Sequence, residues 1–210
     1  MADRSVRSLE DLDRTVRALA TEFKTDKVFI IGSQGILLGW PDAPTVMRSS
    51  PEIDAFPGNA KMWEIEERKK HPDTEASEHI NGVFGYGSLF HRTHGFYIDD
   101  VDENTARLPT DWQRRAMIRR VEAGGRTVLA VAPCPEDSVV SKLARLSDKA
   151  FIEAYHAERP LDPAVIEERI GSSNFDPAVA EKALGYIRAL TPEHDGGHGS
   201  GGGVSGGPPR

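Results

Sequence analysis

The chain opens on apolar positions spaced three and four apart, Leu9, Leu12, Val16, Leu19 and Phe23. That spacing predicts an amphipathic helix over residues 8 to 23, and Ser8 followed by Asp11 makes a capping box with Asp in the place of Glu. The period then changes. Val28-Phe29-Ile30-Ile31 is an unbroken apolar run between Lys27 and Gly32-Ser33, the pattern of a strand buried on both faces. Gln34 to Trp40 reads as a short helix stopped by Pro41, and Asp42 to Ser50 as a loop. Ser50 to Phe56 returns as a strand whose period of two places Glu52 and Asp54 on one face and Ile53 on the other. Ala60 to Lys70 is charge-rich and reads as an exposed helix with Met62 and Ile65 facing inward. Residues 71 to 95 carry glycines, aromatics and histidines without a period, so turns are the default there.

Gly95 to Val101 alternates as a third strand. Leu108 to Trp112 begins a helix capped by Thr110 or Asp111, and the same helix is expected to gather Arg114, Arg115, Arg119 and Arg120. Gly124-Gly125 turns the chain into Thr127 to Ala132, a fourth and buried strand. Pro135-Glu136-Asp137 starts a helix in the favoured order, with Val139, Val140, Leu143 and Leu146 as its apolar side. Residues 148 to 190 are helical, interrupted at Pro160 to Pro163; Asp162 caps Pro163 to Ile170, and Pro177 opens a last helix. After Thr191 only Gly, Ser, His, Pro and a few others remain, a tail too polar to bury a core. The pattern predicts an α/β (α+β) fold, a mixed sheet of about four strands flanked by helices, with a C-terminal helical extension. It divides the chain into a core over residues 1–147, the helical extension over 148–191 and a Gly-rich tail over 192–210.

Composition narrows the function. With 38% hydrophobic and 28% charged residues in 210, the chain is globular and long enough for one full core plus a small appendage. A formal charge of -7 argues against broad, sequence-independent nucleic-acid binding, which needs a basic face. No apolar run approaches the roughly 18 residues that span a bilayer, and Met-Ala-Asp-Arg-Ser lacks the apolar segment of a signal peptide. The expectation is a cytoplasmic protein with no membrane partner. A single cysteine, Cys134 between Pro133 and Pro135, excludes an internal disulfide and reads as structural. For His91 and His94 the further histidine His79 is distant and no cysteine joins them, which weighs against a zinc site.

The chemistry concentrates where the first two strands meet their connection. Gly32 lets backbone amides approach a ligand above the strand end, and Ser33 adds a hydroxyl, making a phosphate-sized cradle. Glu52 and Asp54, side by side on one strand face, repel unless a divalent cation or a proton neutralises them. Arg48 precedes them closely enough to meet a phosphate, with an ordinary surface arginine as the alternative. Asp99 and Asp100 point to opposite faces of the third strand, so one of the two can join the pair; with Ile98 packed beside Phe96, Asp99 shares a face with Tyr97 and Val101. Asp102 and Glu103 read as strand-end solvation.

A Gly-Ser after a first strand followed by an acid-x-acid triplet on the next resembles the nucleotidyltransferase superfamily, with its DNA polymerase beta-like fold. The wording Ile31-Gly32-Ser33-Gln34-Gly35-Ile36-Leu37, then Ser50-x-Glu52-Ile53-Asp54, then Glu136-Asp137 and Ser141-Lys142-Leu143, is similar to a bacterial branch that groups with abortive-infection and type IV toxin-antitoxin nucleotidyltransferases. The resemblance covers about residues 26 to 170. It implies a nucleotidyltransferase-type sheet on which Glu52, Asp54 and Asp99 hold Mg2+ or Mn2+. It further implies that Gly32, Ser33 and Lys142 bind the nucleoside triphosphate, to which Arg48 is added from its position alone, and that Lys142 and Asp148 complete the catalytic set. Ser147 stands where that branch carries a basic residue. The acceptor implied is a protein, a tRNA or a small molecule, with a cognate antitoxin as a possible protein partner. Two rival expectations stand beside this one: a nucleotidyltransferase fold kept as an inactive binding module, and Glu52 and Asp54 as exposed edge-strand charges that discourage aggregation.

Overall fold

The computed structural model describes residues 6–101, 106–146 and 148–191. Asp102, Glu103, Ser147 and the Gly-rich tail lie outside the described residues. The described residues form a five-stranded sheet: β1 (Lys27–Ile30), β2 (Glu52–Pro57), β3 (Tyr97–Asp99), β4 (Met117–Ala123) and β5 (Arg126–Ala132). Its order is β3-β2-β1-β5-β4. β1 runs antiparallel to β2 and parallel to β5, β2 and β3 are parallel, and β4 and β5 form a hairpin. The mixed α/β architecture flanked by helices is therefore present, with one strand more than the pattern predicts.

Helix α1 (Leu9–Phe23) covers one face of the sheet. Its capping box forms as the sequence predicts, the Asp11 amide donating to the Ser8 hydroxyl at 3.3 Å and the Ser8 amide to Asp11 Oδ2 at 3.0 Å. Leu12, Val16, Leu19 and Phe23 from its stripe pack on Val28, Ile30, Ile53, Ala55, Ile98, Val128 and Ala130. The opposite face carries Ile31 and Val131 under Ala106, Leu108 and Trp112, with Phe29 stacked on Phe56. A third apolar cluster joins Ile36, Ala43 and Met47, the last on α2 (Thr45–Arg48), a helical turn inside the expected loop, to α6 (Pro135–Leu143), α7 (Lys149–Glu158), α8 (Pro163–Gly171) and α9 (Pro177–Leu190). Asp162 caps α8 by accepting from the Ala164 amide, and Asp176 caps α9 the same way through Ala178. Gln34 to Trp40, expected as a short helix, is a 3₁₀ turn over Ser33–Leu38.

Three expectations are corrected. Arg119 and Arg120 do not continue a helix: a 3₁₀ turn ends at Arg115, and Met117–Ala123 is the added strand. Gly124 and Gly125, both at positive φ (59° and 79°), close a two-residue hairpin loop between Ala123 and Arg126, which fixes the register of β4 on β5. The arginine cluster is thereby split, and Arg119 reaches back to Asp13 on α1 at 2.8 and 2.9 Å. Second, Met62 and Ile65 on α3 (Ala60–Glu67) are exposed, at 61% and 54%. Trp63 turns inward instead, 4.8 Å from the Phe23 ring centroid, because the indole buries the most apolar area in that helix. Third, residues 76 to 94 are two helices, α4 (Ala76–Phe84) and α5 (Leu89–His94), with Ala76, Ile80 and Phe84 buried at every fourth position of α4.

Asp137, in the first turn of α6, is fully buried and accepts from Arg115 Nε and Nη2 at 3.2 and 3.1 Å and from Arg169 Nη1 at 2.6 Å. Arg115 also donates to Asp111, so one carboxylate ties α6 to the segment over the sheet and to α8. Burial pushes the nearby Cys134 thiol up to about 11, which keeps it protonated and inert. Removing the acid leaves two facing guanidinium groups without their buried counter-charge. Asp137→Ala is expected to lower unfolding stability by about 3 kcal/mol, read as a shift of the urea midpoint; a change within error would mean that the network contributes nothing to α6 docking.

Candidate functional site

β2 lies between β1 and β3, so Glu52 and Asp54 project from an inner strand and the edge-strand expectation does not hold. The parallel register pairs Glu52 with Tyr97 and Asp54 with Asp99. Ile53 and Ile98 point into the core while the acids share the other face. Glu52, Asp54 and Asp99 each offer an oxygen within 4.8 Å of the others, and among the described residues they are the group of three able to hold a metal ion. Asp100 borders the same cleft from beside this group.

Backbone packing brings the Gly-Ser turn against the acids. A Cβ at Gly32 would collide with Asp54 Oδ2, so only glycine permits this approach. Ser33 begins the 3₁₀ turn, and its hydroxyl accepts from Lys142 Nζ at 2.9 Å. Lys142, in the last turn of α6, also donates to Asp148 Oδ2 at 2.8 Å and lies 4.7 Å from the Phe151 ring centroid. Its side chain is only 12% exposed. Gly32, Ser33, Glu52, Asp54, Asp99, Lys142 and Asp148 thus line one cleft of about 560 Å³. Arg48 is not brought there: its guanidinium donates to the carbonyls of Ala43 (2.6 Å) and Arg7 (3.4 Å), and it does not border the cleft. His79 is 2.7 Å from Glu22, and His91 Nδ1 accepts the Gly87 amide at 3.0 Å, both away from the acids.

Sequence reading gave no role to two residues that line this cleft, or to Tyr97, which touches one of its acids. Arg145 borders it from the turn that follows α6, three positions after Lys142, its amide donating to the Lys142 carbonyl. Gln34, 1% exposed, borders it with neither polar atom of its carboxamide hydrogen-bonded. The Tyr97 hydroxyl donates to Glu52 Oε2. Alternation alone could have flagged Tyr97, since it shares a face with Asp99; its pairing with Glu52 needed the register.

The electrostatics follow from crowding. Burial, then Glu52 and Asp99, push the Asp54 carboxyl up to about 6, against the opposing pull of Lys142 and Arg145. Asp99 is raised as well, by burial and then by Glu52. Burial and the hydrogen bond to Glu52 raise the Tyr97 hydroxyl above its usual range, so it stays a donor. An all-oxygen donor set that resists its own ionisation suits a hard divalent cation such as Mg2+ or Mn2+.

A family model described as a nucleotidyltransferase of unknown function (DUF6036) matches residues 7–182. No curated protein matches the chain. Nor does any solved structure.

The metal-free protein carries a measurable cost at Asp54. A carboxyl raised from 3.8 to about 6 on folding contributes full stability below pH 3.8 and loses it as pH rises through 6. That difference corresponds to at most about 3 kcal/mol. In EDTA, Asp54→Asn is expected to be more stable than the native chain at pH 7.5, with the advantage gone below about pH 4. Urea unfolding across that range checks it, and equal stability at pH 7.5 would show that the charge is not crowded.

Proposed function

The chain belongs to the DUF6036 family of nucleotidyltransferases, and we propose that it is a metal-dependent enzyme that moves a nucleoside monophosphate from a nucleoside triphosphate to an acceptor, releasing pyrophosphate. The observation that carries this reading is the convergence of Glu52, Asp54 and Asp99 on one wall of the cleft with Ser33 and Lys142, joined at 2.9 Å, on the other. Acids and a cation facing each other across a polar cleft match a ligand that is both metal-loaded and phosphorylated. Glu52, Asp54 and Asp99 would hold Mg2+ or Mn2+, which when bound neutralises the triphosphate and polarises the phosphorus under attack.

The chain's own groups have separable tasks. The Gly32 turn and the Ser33 hydroxyl bind phosphate oxygens, the absent side chain at Gly32 letting the turn close against Asp54 so that the phosphate and the acids share one cleft. Lys142 donates toward the same oxygens and offsets charge that grows on the departing pyrophosphate, while Asp148 and the Phe151 ring hold its ammonium in place. Arg145 adds a second positive group on that side. The acceptor presents a hydroxyl or terminal phosphate whose oxygen forms the new bond to the alpha phosphorus as the bond to pyrophosphate breaks. The proton lost by an attacking hydroxyl has a carboxylate of this acidic face to receive it. The charge of -7 weighs toward a protein or small-molecule acceptor over RNA. No helix of the described residues is long and apolar enough to cross a membrane.

Thermal shift with ATP, GTP, CTP and UTP, each with and without Mg2+, tests the reading. A shift for at least one nucleotide that requires Mg2+ and disappears in Asp54→Ala is expected, and the responding base is then the one to label in an acceptor screen. Lys142→Ala is expected to lower transfer by about 10²- to 10³-fold. No Mg2+-dependent shift with any nucleotide, in native and variant chains alike, would sink the transferase and favour the inactive binding module.

A further inference from the structure

Tyr97 stands directly opposite Glu52 in the parallel register of β2 and β3, and its hydroxyl donates to Glu52 Oε2. The ring is itself held. His91 packs against it edge-on with centroids 5.4 Å apart, and Tyr86 does so at 5.7 Å. His91 is buried, and the Gly87 amide fixes its ring through Nδ1. Without such a donor, a half-buried glutamate beside two other acids would turn away from them, because three rotatable side-chain bonds give it many conformers of lower repulsion. One hydrogen bond from a clamped ring removes that freedom.

We infer that Tyr97 is a positioning residue for the cation site: its hydroxyl fixes Glu52 through Oε2 and so leaves Oε1 as the oxygen offered to a divalent cation. The inference rests on the nucleotidyltransferase reading, in which this face of the sheet holds the metal. Hydrogen-bond partners of metal-ligating groups act in this way generally, and their removal weakens metal binding by about 10- to 100-fold.

Mn2+ binding to the full chain, read from the electron paramagnetic resonance signal of free Mn2+ with no nucleotide present, tests it independently of activity. Tyr97→Phe is expected to bind Mn2+ about 10- to 100-fold more weakly, with the melting temperature in EDTA unchanged. Tyr186→Phe, on α9 and outside the cleft, removes a tyrosine hydroxyl elsewhere and is expected to bind as the native chain does. In a Glu52→Ala background, Tyr97→Phe should cause no further loss, since the carboxylate it orients is gone. Equal losses in both backgrounds would overturn positioning in favour of a general packing role, and so would native affinity in Tyr97→Phe. Absence of Mn2+ binding to the native chain would instead overturn the metal-dependent reading itself.

Discussion

Three carboxylates on one sheet face repel one another, and the surrounding structure either forces them together or offsets the repulsion. Within 4.8 Å, each charged pair costs on the order of 3 kcal/mol at an effective dielectric of about 20. The strands stay registered because their other face is apolar and dry. Ile53 and Ile98 are each fully buried, and such side chains contribute about 1.5–3 kcal/mol apiece, which offsets part of the crowding. What is left over appears at Asp54, whose carboxyl rises to about 6. A site that resists its own charge is prepared for a cation or a proton.

The positive side of the cleft depends on a different constraint, the placement of α6. Its first turn is fixed by Asp137 between Arg115 and Arg169, and its last turn delivers Lys142 to Ser33. The buried ion cluster and the candidate catalytic lysine therefore sit on one short helix. The C-terminal helices share an apolar cluster with Ile36, which follows the Gly-Ser turn. In this way the extension braces the Lys142 side of the cleft while adding Asp148 to it.

Local signals were legible wherever one segment carried its own reason. The α1 stripe and its Ser8 cap, the apolar run of β1, the alternation of β2 and the Asp162 cap of α8 all formed as read. Segments whose state depends on a partner were not. Met117 to Ala123 holds two adjacent arginines that suit a helix surface, yet Gly124-Gly125 and a waiting β5 make it a strand. Ala76, Ile80 and Phe84 did carry a helical period, hidden by Gly82 among them and by Gly85 and Gly87 after them. Arg48 sits near the acids in sequence, but backbone carbonyls of Ala43 and Arg7 claim its guanidinium.

By itself the sequence determined that Glu52 and Asp54 share a face, because alternation along a strand is a property of the backbone alone. It also supplied a glycine where the turn after β1 must meet a carboxylate. Only the tertiary structure decided that Asp99 lies beside Asp54, that Tyr97 holds Glu52, and that Lys142 touches a serine 109 positions away. Strand register and helix docking are set by burial between segments distant in sequence, and no single segment carries that information.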